Sequence, residues 1–387
     1  MSRDNEALIQ EVRGVEASLI SWLSIDVPML YARTARRHSR LDRWILASSL
    51  QKCIRRGLVQ DAIDVALALH ALDPDYAWRR LRVISLEDVG LGDIKAVSGV
   101  LAVAGKKVLR SALGDSQLYV HLARLLAVAI KDRTACDLIN WVSNALPAEH
   151  FRNELLKVAS TTWEEVAVDD EVPVWKRVVA LQLLSGYSAK VGVSYRIFSR
   201  SHPSAVVRVI ESLKPDPMVS FALLRGKGSE SLNIALLFAY LLWKKASRRA
   251  LVSLETEVRG TVRIGGVIAP SFCMYTRVGL HAMRIFLSGD AMFRSLLEQA
   301  GATNALKVLG LLLFQIESGV LDRVVDYAPT VRVDAEHAEL ARFGVVDDAT
   351  CVALRMELLK RMSALNKARR MAWNVQLDNA GLPGGSV

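Results

Sequence analysis

DPDYAWRRLRVISLEDVGLGDI, residues 73–94, sets a short basic helix against an acidic corner. Asp73-Pro74 predicts a helix start. The aspartate accepts from the first free N–H groups, and proline at the first helical position gives up no hydrogen bond. Ala77, Leu81 and Ile84, with Val83 beside them, form the inward stripe, while Arg79, Arg80 and Arg82 fall mostly on other faces. Gly90 is placed to end the helix in a left-handed conformation, and Asp93 to cap the next one from Ile94. Glu87 and Asp88 are the odd part. Carboxylates near a helix C-terminus face the negative end of the dipole, at about 0.3–1 kcal/mol each when exposed. The positions three and four before them are Val83, Ile84 and Ser85, so the helix supplies no offsetting cation. An arginine from elsewhere is expected to reach across, since its planar fork matches a carboxylate in two bonds. Three readings stay open: a structural corner, a partner contact, or a metal or acid–base pair. Neighbouring helical residues point about 100° apart, so Glu87 and Asp88 are not expected to share one site.

The same helical rhythm runs through most of the 387 residues. Small and apolar residues recur at helical spacing, as in Leu50, Cys53, Ile54, Gly57 and Leu58, or Leu118, Leu122, Leu125, Leu126 and Ala129. The ten prolines sit where helices start or stop. The expected organisation is an N-terminal segment (1–46), a compact set of about four helices (47–145), a second helical subdomain (146–320) and a C-terminal basic helix with a flexible tail (321–387). RGTVRIGGVIAPSF (259–272) is the one place where glycine and β-branched residues displace the helical pattern, which predicts a short hairpin or loop. Asp347 or Asp348 is expected to cap one long last helix to about 375. The apolar runs at 232–243 and 305–316 are too short to span a bilayer, which takes roughly 20 residues, and read as buried helices. No signal peptide is read. The four cysteines are far apart with no CxxC, which argues against a disulfide framework or zinc knuckle and points to a reducing cytoplasm.

The residues around the corner resemble the C-terminal helical region of the RarA/MgsA family of AAA+ ATPases, which in turn is similar to the collar of clamp loaders. Ser48, Lys52, Ile54 and Arg55 match the approach to that pattern. Asp61-Ala62, Asp73-Pro74, Arg79-Arg80-Leu81, Glu87-Asp88-Val89-Gly90-Leu91 and Asp93 match its core. The departures are Trp78 for a small residue, Leu86 for serine, Gly92 for alanine and Ile94 for proline. The match is good over 48–97, and YVHLARLLAVAIKDRTACDLINWV (119–142) continues it loosely. The family's ATPase module is not seen. No GxxxxGK[ST] occurs, and LLRGKGSES has the wrong spacing to cradle phosphates. The resemblance therefore implies a collar's part, oligomerisation or docking in replication, repair or recombination, in a stand-alone derivative without ATP hydrolysis. Arg79, Arg80, Glu87, Asp88, Gly90 and Asp93 would organise the corner or an interface.

A formal charge of +10 favours a polyanion partner, nucleic acid before membrane surface. Arg33, Arg36, Arg37 and Arg40 align on one side of a helix, flanked by Tyr31 and Trp44, and suit phosphates plus stacking. Lys244, Lys245, Arg248 and Arg249 are like-charged neighbours that an anionic partner would relieve. KRMSALNKARRMAWN (360–374) reads as a DNA arm, a membrane-surface helix or a helix docked on its own core. After the glycine-rich loop, Arg277 is placed to meet a carboxylate or phosphate, and Thr276 or Ser271 to cap a helix. Each basic stretch has the alternative of a solvated face. Neither a metal motif such as HExxH nor a catalytic triad is identified, and no cofactor is expected.

The expectation is thus an all-α fold of stacked helical hairpins with a collar-like subdomain and a small irregular or β insertion near 259–272. Its function is expected to be that of a non-enzymatic, DNA-associated accessory protein that self-associates or docks on a protein partner. The alternative is an all-α interaction scaffold without nucleic-acid binding. An enzyme built on 259–281 would bring Tyr275, Arg277 and His281 into one deep pocket.

Overall fold

The computed structural model describes residues 3–26, 41–186, 188–191, 194–197, 199–225, 230–247, 250–252 and 262–379. Among them the architecture is all-α: twenty α-helices stack with three small two-stranded sheets. Helix Arg43–Arg55 starts at Asp42, whose carboxylate accepts from Trp44 and Ile45 N–H. It packs on Val59–Leu72, which packs on Asp115–Val128. Seven α-helices fall between Arg43 and Asn144, where the sequence suggested about four, because turns such as that at Gly57 cut the apolar pattern into shorter pieces.

Thr134–Asn144 packs on both Glu230–Lys245 and Pro329–Ala341, so the middle and the end of the chain meet on one helix. The predicted insertion is a hairpin, Arg263–Ile264 against Val267–Ile268, turned by Gly265 and Gly266, both at positive φ. A second hairpin, Ser188–Val191 with Ser194–Ile197, lies where helix was expected. Ala250–Val252 pairs antiparallel with Val324–Asp326, and Lys131 bridges to Val324, which ties three distant segments together.

Two hydrophobic cores hold these elements. The first draws on residues from Val12 to Ala282 and takes in Ala372, Trp373 and Leu377. The second is built from residues between Met283 and Ala368. The C-terminal helix Met362–Asn379 contributes to both, and lies along Arg277–Gly289. The single long last helix expected from 348 is in fact two, Asp348–Lys360 and Met362–Asn379. The first is capped by Asp347, as anticipated. The break is at Arg361, whose guanidinium is held by Asp290 and by Glu357. No proline or glycine marks it; the contact that sets Arg361 apart is the one to Asp290 on another element.

Candidate functional site

The corner is built as its sequence promised at both ends and differently in its middle. Asp73 accepts from Tyr76 N–H at 3.0 Å with Pro74 at the first position, and Asp93 accepts from Ala96 N–H at 2.9 Å. Gly90 has φ +48°, and a Cβ there would come within 2.7 Å of the Asp132 carbonyl oxygen. At Gly92 a Cβ would meet the Ile130 carbonyl oxygen at 2.3 Å, so the glycine that replaces the resembled alanine admits a close backbone approach. The Trp78 departure is also accommodated: the buried indole donates to Asp115 at 3.0 Å and the Arg110 guanidinium lies 4.8 Å above it.

Glu87 and Asp88 sit in a π-helical turn, Ser85–Val89, and they share one site after all. Arg55 donates through Nε to Asp88 at 2.6 Å and through Nη2 to Glu87 at 3.0 Å. Gln51 Nε2 reaches both, at 3.1 Å and 2.9 Å. Arg133 Nη1 adds a bond to Asp88 at 2.8 Å. The expectation of separate sites failed because the π turn is wider than an α turn and the arginine fork spans the gap. Burial works to raise the Asp88 carboxyl, but Arg55 and Arg133 outweigh it and hold the group below its ordinary range. The cross-chain arginine is therefore found, and there are two of them. Gln51 and Arg133 were not singled out in the sequence; KDRT at 131–134, a charged cluster inside an apolar helical pattern, is the signal that could have found Arg133.

The network runs on toward the C-terminus. Arg55 Nη1 donates to the Ser318 carbonyl at 2.7 Å, in a second π-helical turn, Phe314–Ser318. Phe314 lies under both guanidiniums, 5.2 Å from Arg55 and 4.9 Å from Arg133. Glu317, in the same turn, takes two bonds from buried Arg369 of the last helix.

Above this lattice opens a cavity of about 520 Å³. Lys52, Arg55 and Arg133 are 3%, 2% and 5% exposed and form its floor, while Trp44 at 44% and Tyr275 at 70% stand at its mouth. Lys52 Nζ donates to Ser48 Oγ at 3.0 Å and lies 3.3 Å from the Cys273 sulfur. Ser48 Oγ in turn donates to the Ser271 carbonyl at 2.7 Å. Burial lowers the Lys52 ammonium, with Cys273 opposing. Burial would raise the thiol, but Lys52 and Ser48 bring Cys273 below its usual value. Tertiary packing brings Lys52 to Cys273 from 221 positions away. On the other side of the cavity Glu339 is pushed up to about 7 by burial.

The other predicted residues are dispersed. Arg33, Arg36, Arg37, Arg40, Arg248 and Arg249 lie outside the described residues. Lys244 and Lys245 are exposed at the end of their helix, with Lys245 3.4 Å from Asp170 and Lys244 5.7 Å from the Tyr240 ring. Arg79 is exposed and stacks on Tyr76. Arg80 reaches the cavity and donates to Gln51 at 3.2 Å. Thr276 caps helix Arg277–Gly289. Of the three residues expected in one deep pocket, only Tyr275 lines the cavity; Arg277 and His281 point to solvent on that helix, one turn apart. The enzyme reading based on those three together is therefore set aside.

The cation count also reads differently in three dimensions. Nine lysines and arginines are buried among the described residues, against five carboxylates. The surplus is absorbed by carbonyl groups. Lys131 donates to the Leu126, Ala127 and Ala129 carbonyls at the end of helix Asp115–Val128, Arg152 to Val142 and Arg177 to Ala167. These cations suit the negative helix termini and contribute little to an outward field. Among the described residues no group of three or more His, Cys, Asp or Glu is placed to hold a metal ion, all four cysteines are free and buried, and no helix is long and apolar enough to cross a membrane. Compared with protein-family models, with curated proteins and with solved structures, the chain matches none.

Proposed function

We propose that the protein is a non-enzymatic accessory protein that holds nucleic-acid backbone phosphates on a basic face of its C-terminal helices. It docks or self-associates through its collar-like helices at 48–142, in replication, repair or recombination. The observation that carries this reading is a helix pair whose one acid is Asp378, in the last turn of the second helix. Helices Arg277–Gly289 and Met362–Asn379 pack together, and residues 277–289 and 362–377 contain no aspartate or glutamate. Arg277, His281 and Arg284 are exposed at helical spacing on the first helix, and Lys367 and Arg370 on the second. The four lysine and arginine side chains make no ion pair among the described residues, unlike Arg263, Arg208 and Arg361, each of which is held by a carboxylate. An unneutralised cationic face of this kind attracts a polyanion and releases its counterions, with little preference for base sequence.

The test is a mobility-shift titration with single-stranded, duplex and forked DNA at two salt concentrations, with solution mass measured alongside. Reversing Arg277, Arg284, Lys367 and Arg370 to glutamate is expected to weaken binding at least about tenfold, uniformly across sequences, and to flatten the salt slope. Unchanged binding in that variant would reject this face, and absence of binding by the unaltered chain would reject the reading.

A further inference from the structure

The cavity over the corner has an electrostatic arrangement that the fold alone does not require. Arg55 and Arg133 are committed: their guanidiniums are taken up by Asp88, Glu87, the Ser318 carbonyl and the Cys136 sulfur. Lys52 and Arg80 are not. Lys52 is buried with only a hydroxyl and a sulfur as partners. Arg80 gives one bond to the Gln51 amide oxygen, and its Nε is buried with no acceptor. A cation withdrawn from water, wholly as at Lys52 or partly as at Arg80, without a carboxylate partner is costly, because desolvation is not repaid by a counter-charge. An anion entering the cavity would supply one to both.

The mouth has a different character. Trp44 and Tyr76 meet edge to face with ring centroids 5.3 Å apart, and Tyr275 stands exposed at the opening. A cationic floor beneath an aromatic rim sorts a ligand by polarity: charge inward, planar ring outward. The volume falls in the range of roughly 300–1,000 Å³ usual for small-molecule sites.

We propose that this cavity binds a phosphate monoester bearing a planar ring, the chemistry of a nucleoside monophosphate. The phosphate sits at Lys52 and Arg80, and the ring among Trp44, Tyr76 and Tyr275. Two acids line this space: Glu87, whose carboxylate is taken up by Arg55, Arg133 and Gln51, and Glu339 of helix Pro329–Ala341, whose carboxyl burial raises to about 7, so neither opposes such a ligand strongly. The residues that hold the ligand are not on helices 277–289 or 362–379, so this inference stands apart from the phosphate-binding face proposed above. The shared chemistry has two sources, a free nucleotide or the phosphorylated end of a strand.

The experiment is a calorimetric titration of the full chain with adenosine 5′-monophosphate, adenosine, inorganic phosphate, and oligothymidylate with and without a 5′-phosphate. Trp44 quenching is followed in parallel. The nucleotide is expected to bind, with adenosine and phosphate each at least tenfold weaker. Arg80→Gln, at a half-buried position that perturbs packing least, is expected to reduce affinity tenfold or more, with an unchanged circular dichroism spectrum. Lys52→Met gives the same direction if it folds. Preference for the phosphorylated oligonucleotide over both the mononucleotide and the unphosphorylated strand supports the site with a strand end as the source. The proposal is overturned if neither phosphorylated ligand binds, if Arg80→Gln binds both as the unaltered chain does, or if inorganic phosphate binds as tightly as the nucleotide. Loss of duplex binding in the four-residue reversal, with nucleotide binding intact, keeps the two sites distinct.

Discussion

In the corner, Arg55 is buried and each of its bonds is made by a carboxylate or a carbonyl. On helix 277–289, Arg277 is exposed and makes no ion pair among the described residues. The two regions use the same side chain for opposite ends. Burial turns the guanidinium into a structural bracket whose loss leaves a charge stranded in a low dielectric. Exposure leaves it hydrated, individually worth little to the fold, and available to a partner. Formal charge in a sequence therefore does not measure the field a partner meets. Here nine cations are buried among the described residues, several of them against helix-end carbonyls.

The comparison is broken most directly at Asp88. Asp88→Ala strands Arg55 and Arg133 and is expected to destabilise the chain by about 3–5 kcal/mol in urea denaturation. A loss below about 1 kcal/mol would mean that the corner is not held by its ion pairs.

Acid–base titration of the fold comes next. Burial raises the Asp137 carboxyl to about 6, with Arg133 opposing, and Glu339 to about 7. The folded state thus keeps protons that the unfolded chain releases at the ordinary values of 3.8 and 4.5. Stability is then expected to fall as pH climbs from 3.8 to about 7, by an amount on the order of a few kcal/mol for the two groups together. Below that window the sign reverses for Asp88, whose folded value is depressed: its contribution is lost as pH falls. Denaturation midpoints measured across this range should lose part of their slope in Asp137→Asn and in Glu339→Gln; a slope unchanged in both would remove the assignment.

Smaller effects sharpen the corner's geometry. Gly90→Ala forces a side chain onto a positive φ and against the Asp132 carbonyl, and is expected to cost about 1–3 kcal/mol. Asp73→Ala removes an N-cap and is expected to cost about 1 kcal/mol by thermal melting. At the bottom of the scale, Arg277→Ala is expected to change stability by no more than about 0.5 kcal/mol. A larger loss there would make the basic face structural and weaken its assignment to a partner.

Much of the corner was legible because its signals are local. A cap, a proline and a glycine act within one helical turn, so Asp73, Pro74, Gly90 and Asp93 could be placed from spacing alone. The need for an outside arginine was legible too, as an unbalanced dipole. Which arginines answered it was not, since Arg55 and Arg133 lie 33 and 45 positions from Asp88. The Ser48–Lys52 approach could be quoted, but its third member, Cys273, arrives from more than two hundred residues away. The break at Arg361 was invisible for the same reason: Asp290, which holds it, is 71 positions distant.

By itself the amino-acid sequence determined the all-α class, a break in the helical pattern near 259–272, the helix ends around the corner and the surplus of cations, because periodicity, turn chemistry and composition are read over a few residues or none. The tertiary structure alone decided that Glu87 and Asp88 share one pair of arginines, that Lys52 faces Cys273 at the floor of a cavity, and which cations face outward. Those outcomes depend on burial and on distances between segments far apart in the chain, and electrostatic energy is set by these and not by order along the backbone.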